Sequence, residues 1–242
     1  MRKYPSKSGP FEEALYFDQE EIDEICGKAL ESVDLYPEKP GPVRIERFLE
    51  KKFSISPEYD ALPEGVLGFT KFGPSGPERV VLSSGLSEGE TRYSERRIAT
   101  TIAHEAGHIL FHADLFRKRF NNPPMKRLFD DFEPSNEEDR AILCRDLPND
   151  SPDRSSSYGG RWWEHQANKA IGALLIPFTL LEKTVAPFFV TKKTPKTLFA
   201  VPRLDPEERE DVILLLSEIF DVNPVVARIR LGEIYPASKF SH

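Results

Sequence analysis

Apolar positions recur at helical spacing in several stretches of the chain and alternate in one, and this pattern sets the expected elements. Ile22, Ile25, Cys26, Ala29, Leu30 and Val33 share one face, the recurrence of a helix with a single buried side. Asp18 and Glu21 stand just ahead of it as a capping box, which predicts the helix start. Pro40-Gly41-Pro42 breaks the chain, and a second helix is expected from Val43 to Phe53, carrying Phe48, Leu49 and Phe53. Between Phe53 and Ser84 the reading changes. Val66 to Phe72 and Arg79 to Ser83 look like strands flanking Gly73-Pro74-Ser75-Gly76-Pro77, a turn-rich link typical of a hairpin. Helical spacing returns from Ser94 to His112 through Ile98, Ile102, Ala106, Ile109 and Leu110. It returns again from Trp162 to Ile176 through Trp163, Ala167, Ala170, Ile171 and Leu174, where Pro177 stops it. Two further helices, from Asp205 to Ile219 and from Val225 to Ile234, are separated by the turn Phe220-Asp221-Val222-Asn223-Pro224.

The fold class is therefore α+β, with a small antiparallel sheet expected to pack on the Ser94 to His112 helix. Residues 1–16 read as a polar, proline-containing, flexible lead. Residues 17–190 read as one domain, and 114–160, rich in charges, prolines and serines, as a long loop or insert with a short helix around Glu137 to Cys144. Residues 191–242 form a C-terminal helical element entered through the basic segment Thr191-Lys192-Lys193-Thr194-Pro195-Lys196.

Composition narrows the classes. A chain of 242 residues can bury one sizeable core. No apolar run approaches the ~18 residues of a membrane span, and Met1-Arg2-Lys3-Tyr4-Pro5 leads into no signal region, so a cytoplasmic location is expected. Two cysteines, Cys26 and Cys144, exclude a disulfide framework. Cys26 falls on the buried face of the first helix as a packed thiol. A net charge of −7 works against non-specific nucleic-acid binding and suits a protein partner with basic segments.

The chemistry is concentrated at His104-Glu105-Ala106-Gly107-His108. Residues four apart share a helix face, so both imidazoles can reach one ion, as H-E-x-x-H helices hold zinc. Glu105, turned by roughly 100°, falls beside the ion's open position as a general base. A hydrolytic site also needs a third protein ligand. His112 lies eight residues beyond His104, about 12 Å along a continuous helix, too far for one ion, and is expected behind the ligands, in the pocket, or simply as a satisfied polar group near the helix end. Glu164, opening the Trp162 helix, is the better third ligand and completes a His, His, Glu set. Asn168, one turn further along, is placed to accept from a ligating histidine and fix its tautomer. Gly107 would allow a neighbouring element to approach closely. Tyr158, Arg161 and His165 are alternative oxyanion donors, and Cys144 could close the open position and hold the site latent. Zinc suits this set, with manganese or iron as alternatives.

His104-Glu105-Ala106-Gly107-His108 followed by Leu110 and His112, then Glu164-His165-Gln166-Ala167-Asn168 with Leu174-Leu175-Ile176-Pro177, resembles the ImmA/IrrE family of gluzincin-like metallopeptidases over roughly Ile22 to Pro177. The resemblance implies a zincin-type α/β domain, metal ligands His104, His108 and Glu164, and Glu105 as base. It also implies cleavage of a helix-turn-helix repressor in stress or mobile-element regulation. The chain departs from the family in the long spacer of about 55 residues between the motifs, and neither an N-terminal DNA-binding domain nor a C-terminal sensor domain of the size some relatives carry is expected. An extended substrate is expected to pair with an edge strand, most readily along the hairpin.

A rival reading from another class is a non-catalytic, metal-stabilised regulator that binds a repressor or DNA. The last two helices resemble a helix-turn-helix, with Val225, Ala227, Arg228 and Leu231 at the second helix's usual positions. Glu207, Glu208, Glu210 and Asp211 on the first helix, against only Arg228 and Arg230 on the second, disfavour direct DNA binding. A pair that docks on the catalytic domain or recognises substrate fits better. The oligomeric state leaves no trace in the sequence.

Overall fold

The computed structural model describes residues 1–5, 11, 13–88, 91–121, 141–145, 162–191, 202–205 and 207–236, and within these no side chains at 119–121, 141–145, 190–191 and 202–203. Strands β1 (Arg2–Pro5) and β2 (Glu13–Tyr16) pair antiparallel, with Lys3 opposite Leu15. The expected flexible lead is thus corrected for these residues. Phe11, Leu15 and Phe17 supply the reason, since all three are buried in the core and Phe11 packs between Phe116 and Trp163.

Helix α1 (Gln19–Glu31) starts at the predicted capping box. The Glu21 amide donates to Asp18 Oδ1 at 2.9 Å and the Asp18 amide to Glu21 Oε2 at 3.0 Å. Ile22, Cys26, Ala29 and Leu30 face inward, and burial raises the Cys26 thiol pKa far above its ordinary value, so it packs as an inert thiol. Helix α2 (Ile45–Phe53) follows.

The sheet is larger than the hairpin expected. Strands β3 (Glu58–Asp60), β4 (Val66–Gly73) and β5 (Gly76–Ser83) precede helix α3 (Arg92–Asn121), and β6 (Ala141–Arg145) follows it. The order is β3-β5-β4-β6. β3 runs parallel to β5, whereas β4 is antiparallel to both β5 and β6, so the sheet is mixed and not purely antiparallel. The helix expected around Glu137 to Cys144 is a strand over its described part. The run Ala141-Ile142-Leu143 is too short for periodicity to separate helix from strand, and pairing with β4 decides it. Helix α3 also continues nine residues past His112, because Leu115 and Phe116 extend its buried stripe into the segment expected as a loop.

Helix α4 (Trp162–Leu175) crosses α3, and α5 (Phe178–Val185) follows at the Pro177 break. The short strands β7 (Phe189–Thr191) and β8 (Pro202–Leu204) pair antiparallel, and helices α6 (Arg209–Phe220) and α7 (Pro224–Ile234) end the described chain. This last pair is not a separate body. Val212, Ile213, Leu216, Phe220, Val226, Ala227 and Leu231 belong to the same buried cluster as α1, α3 and α4. Arg96, near the start of α3, adds donors at 2.9 Å to Asp221 Oδ1 and 3.0 Å to Glu218 Oε1. No single helix among the described residues is long and apolar enough to cross a membrane.

Candidate metal centre

Close approach of three elements builds the site. Glycine at 107 lets α3 meet α4: a Cβ there would lie 2.8 Å from Ala170 Cβ and 3.2 Å from the Ala167 backbone, closer than packed carbons tolerate. Glycine at 68 does the same for β4, where a Cβ would sit 2.9 Å from Thr101 Cγ2. α4 is thereby pressed against the histidine face of α3, and β4 against the face that carries Glu105.

His104, Glu105, His108 and His112 are all buried despite their polarity. His104 Nε2 and His108 Nε2 are 2.9 Å apart, and Glu164 Oε2 lies 3.3 Å from the first and 3.7 Å from the second. A tetrahedral ion with ligand bonds of ~2.0–2.1 Å requires ligand atoms about 3.3–3.4 Å apart, so the triangle has the right size. Burial lowers the His108 pKa to about 4, which leaves the ring neutral near pH 7. Its approach to Glu164 is therefore not an ion pair: two imidazole nitrogens and a carboxylate oxygen converge, and a cation would satisfy all three. Burial alone would raise the Glu164 pKa, but the facing His104 and His108 rings outweigh it and the carboxyl is held below its usual range. The buried His104, His108, Glu164 group can bind a metal ion.

Each ligand is oriented from behind. His104 Nδ1 is 3.0 Å from Asn168 Oδ1, as the position of Asn168 one turn after Glu164 predicts, so Nδ1 carries the proton and Nε2 is bare toward the site. His108 Nδ1 is 3.1 Å from His112 Nδ1, and His112 Nε2 is 3.0 Å from Gln166 Oε1. His112 stands behind the ligands, with its pKa lowered to about 3 by burial and by the neighbouring His108.

Glu105 is completely buried beside this set. Thr70 Oγ1 donates to its Oε2 at 2.6 Å, and Oε1 has no hydrogen-bond partner among the described residues. Burial pushes the Glu105 pKa up to about 7, against the lowering effects of His104 and Thr70. Such a carboxyl, with one oxygen fixed and the other free, is suited to moving a proton near neutral pH.

Of the remaining predicted residues, His165 is exposed on α4, next to Glu164 in sequence. Tyr158 and Arg161 lie outside the described residues, as does the Cys144 side chain; the Cys144 backbone pairs with Gly68 at the β4–β6 step. The hairpin is not an edge, because β5 is flanked by β3 and β4 by β6. Among the described residues, the sheet edge one strand from Thr70 is β6. The two arginines of α7 are engaged: Arg230 is fully buried and donates to Asp23 Oδ1 at 2.5 Å, and Arg228 donates to Glu210 Oε2 at 2.8 Å. Sequence reasoning missed Thr70, Gln166 and the Leu15 carbonyl, to which the Gln166 side-chain amide donates. Only the inward alternation of β4 could have signalled Thr70, and nothing local signals the other two.

No protein-family model and no curated protein matches the chain. Among solved structures it is similar to a Mycobacterium tuberculosis transcriptional regulator, at 16% identity and a TM-score of 0.45, over 88% of this chain and 46% of that one. The chain thus spans less than half the length of that protein.

Proposed function

We propose that the chain is a zinc-dependent endopeptidase of the ImmA/IrrE type, acting on a protein substrate of the helix-turn-helix repressor class. The observation that carries the reading is Glu105: buried, poised near neutrality by its surroundings, held through one oxygen by Thr70, with the other oxygen unpartnered among the described residues beside a three-ligand set. A structural metal site has no use for such a carboxylate, whereas hydrolysis needs one.

His104, His108 and Glu164 would hold the ion, with Asn168 fixing His104. A bound divalent ion acidifies water and polarises a carbonyl. Glu105 takes a proton from the attacking water through Oε1 and returns it to the departing amine nitrogen. Thr70 keeps the carboxylate from turning away during the transfer. The substrate main chain lies extended along the β6 edge, its amides completing the ladder. The helix-turn-helix resemblance of the last two helices is not read as DNA recognition, since both arginines of α7 serve internal contacts.

The test is N-terminal labelling of the proteome in host cells that produce either the native chain or Glu105→Gln. New N-termini in a helix-turn-helix protein that depend on Glu105 support the reading. Identical N-termini in the two cultures would overturn it, provided that both proteins hold metal.

A further inference from the structure

The contacts behind His108 do not stop at His112. The chain of hydrogen bonds runs from His108 Nδ1 to His112 Nδ1 at 3.1 Å, from His112 Nε2 to Gln166 Oε1 at 3.0 Å, and from Gln166 Nε2 to the carbonyl of Leu15. His108 and His112 are fully buried and Gln166 nearly so, so water does not complete these bonds. The last acceptor lies on β2, about 150 residues away in sequence.

A backbone carbonyl can only accept, and that single fact fixes every proton in the series. Gln166 must offer its amide NH₂ to Leu15, so its carbonyl oxygen faces His112. His112 must then donate from Nε2, which in a neutral ring leaves Nδ1 as an acceptor. His108 must donate from Nδ1, which leaves its Nε2 with a bare lone pair. That lone pair is the one directed at His104 Nε2 and Glu164 Oε2. Reversing any one member puts two donors or two acceptors face to face in a buried site, which costs the full desolvation of the unpaired groups.

We propose that His112 and Gln166 are positioning residues that, together with the Leu15 carbonyl, lock His108 in its metal-binding tautomer. The β1–β2 hairpin thereby becomes a working part of the metal centre. The surrounding rings hold the series in place. Trp162 meets the edge of His112 at a centroid distance of 5.5 Å. Phe11 packs on Trp162 and Trp163, and Phe17 on Phe111. His104 and His108 are therefore oriented by different devices: His104 by one amide on α4, His108 by a relay that begins on the N-terminal hairpin. The inference rests on the reading of His104, His108 and Glu164 as metal ligands.

Two variants of the full chain separate a relay from a packing role. Gln166→Leu keeps the volume and removes the acceptor for His112 Nε2–H. Gln166→Glu buries a charge against the Leu15 carbonyl but preserves that acceptor, and with it the tautomers of His112 and His108. Zinc affinity, measured by competition with a chromophoric chelator, is expected to fall about 10–100-fold in Gln166→Leu, the range for loss of a partner behind a metal ligand. In Gln166→Glu it should stay within a few-fold of native. A packing role predicts the reverse order, because leucine is the gentler substitution for stability. Imidazole ¹⁵N spectra of the native chain supply a readout independent of how the variants fold: His112 should be protonated at Nε2 and bare at Nδ1. An Nδ1-protonated His112, or native affinity in Gln166→Leu, would overturn the relay alone. A native chain that binds no zinc would overturn both the relay and the metal-site reading beneath it.

Discussion

Adding a single methyl group at position 107 should weaken metal binding more than it weakens the fold. In Gly107→Ala the new Cβ would lie 2.8 Å from Ala170 Cβ and 3.2 Å from Ala167 Cα and its carbonyl oxygen. Ordinary carbon contacts are about 3.5–4.0 Å, so α3 and α4 must part by roughly 0.7 Å or more. Two of the close neighbours are backbone atoms and cannot rotate away. In helix propensity alone, alanine gains about 1 kcal/mol over glycine, while overpacking costs about 1–3 kcal/mol, so the net loss of stability is about 0–2 kcal/mol. The metal set is less forgiving. Glu164 stands on α4 and both histidines on α3, with Glu164 Oε2 now 3.3 and 3.7 Å from their Nε2 atoms. Metal–ligand distances tolerate only about ±0.2 Å, and a shift of several tenths takes the carboxylate out of range. The expected result is a loss of at least ~10-fold in zinc affinity, about 1.4 kcal/mol, read by chelator competition, with urea unfolding of the metal-free chain alongside. Gly27→Ala is the control, because on α1 its Cβ would meet only Tyr36 Cε2 at 3.7 Å, and a gain of up to ~1 kcal/mol is expected. If Gly107→Ala is as stable as Gly27→Ala and binds zinc like the native chain, the close helix contact does not set the ligand spacing.

Two further outcomes concern Glu105. Its pKa in the folded, metal-free chain is raised from 4.5 to about 7, so its contribution to stability is present below pH 4.5 and is lost as pH rises through about 7. His108 and His112, lowered from 6.5 to about 4 and about 3, act in the opposite sense: their contribution is present above pH 6.5 and lost as pH falls. Glu105→Gln removes only the first effect. With metal chelated, its stability relative to the native chain should therefore improve between pH 4.5 and pH 8, by up to about 3 kcal/mol at ~1.4 kcal/mol per unit; an unchanged difference in urea unfolding across that range would contradict the burial argument. Thr70→Val removes the donor to Glu105 Oε2 and should cost about 1–3 kcal/mol at pH 8 and less at pH 5, where the carboxyl is protonated. An equal cost at both values would mean that Thr70 packs but does not hold the carboxylate.

The parts of the molecule legible in the sequence are those whose signal is local. Asp18 and Glu21 announce a helix start because both capping bonds form within one turn. His104 and His108 converge because helix geometry alone puts them on one face, and Asn168 follows Glu164 by one turn for the same reason. What was not legible depends on partners far away in the chain. Ala141 to Cys144 could have been helix or strand until β4 supplied a neighbour. The N-terminal hairpin is two four-residue strands joined through Pro, Ser and Gly, which reads as a loose lead until Phe11 and Leu15 find the pocket beside α3 and α4. Gln166 looked like any polar residue beside a metal motif, and its role emerges only where β2 brings up a carbonyl.

X-ray absorption at the zinc edge, with metal stoichiometry, on the full chain and on Glu164→Ala decides whether His104, His108 and Glu164 hold an open metal site. One zinc per chain, bound by two imidazole nitrogens, a carboxylate oxygen and one exchangeable oxygen, is the predicted result, with the carboxylate lost and the affinity reduced in the variant. A chain without bound zinc, a fourth ligand of sulfur closing the site, or a coordination shell indifferent to Glu164→Ala would contradict it.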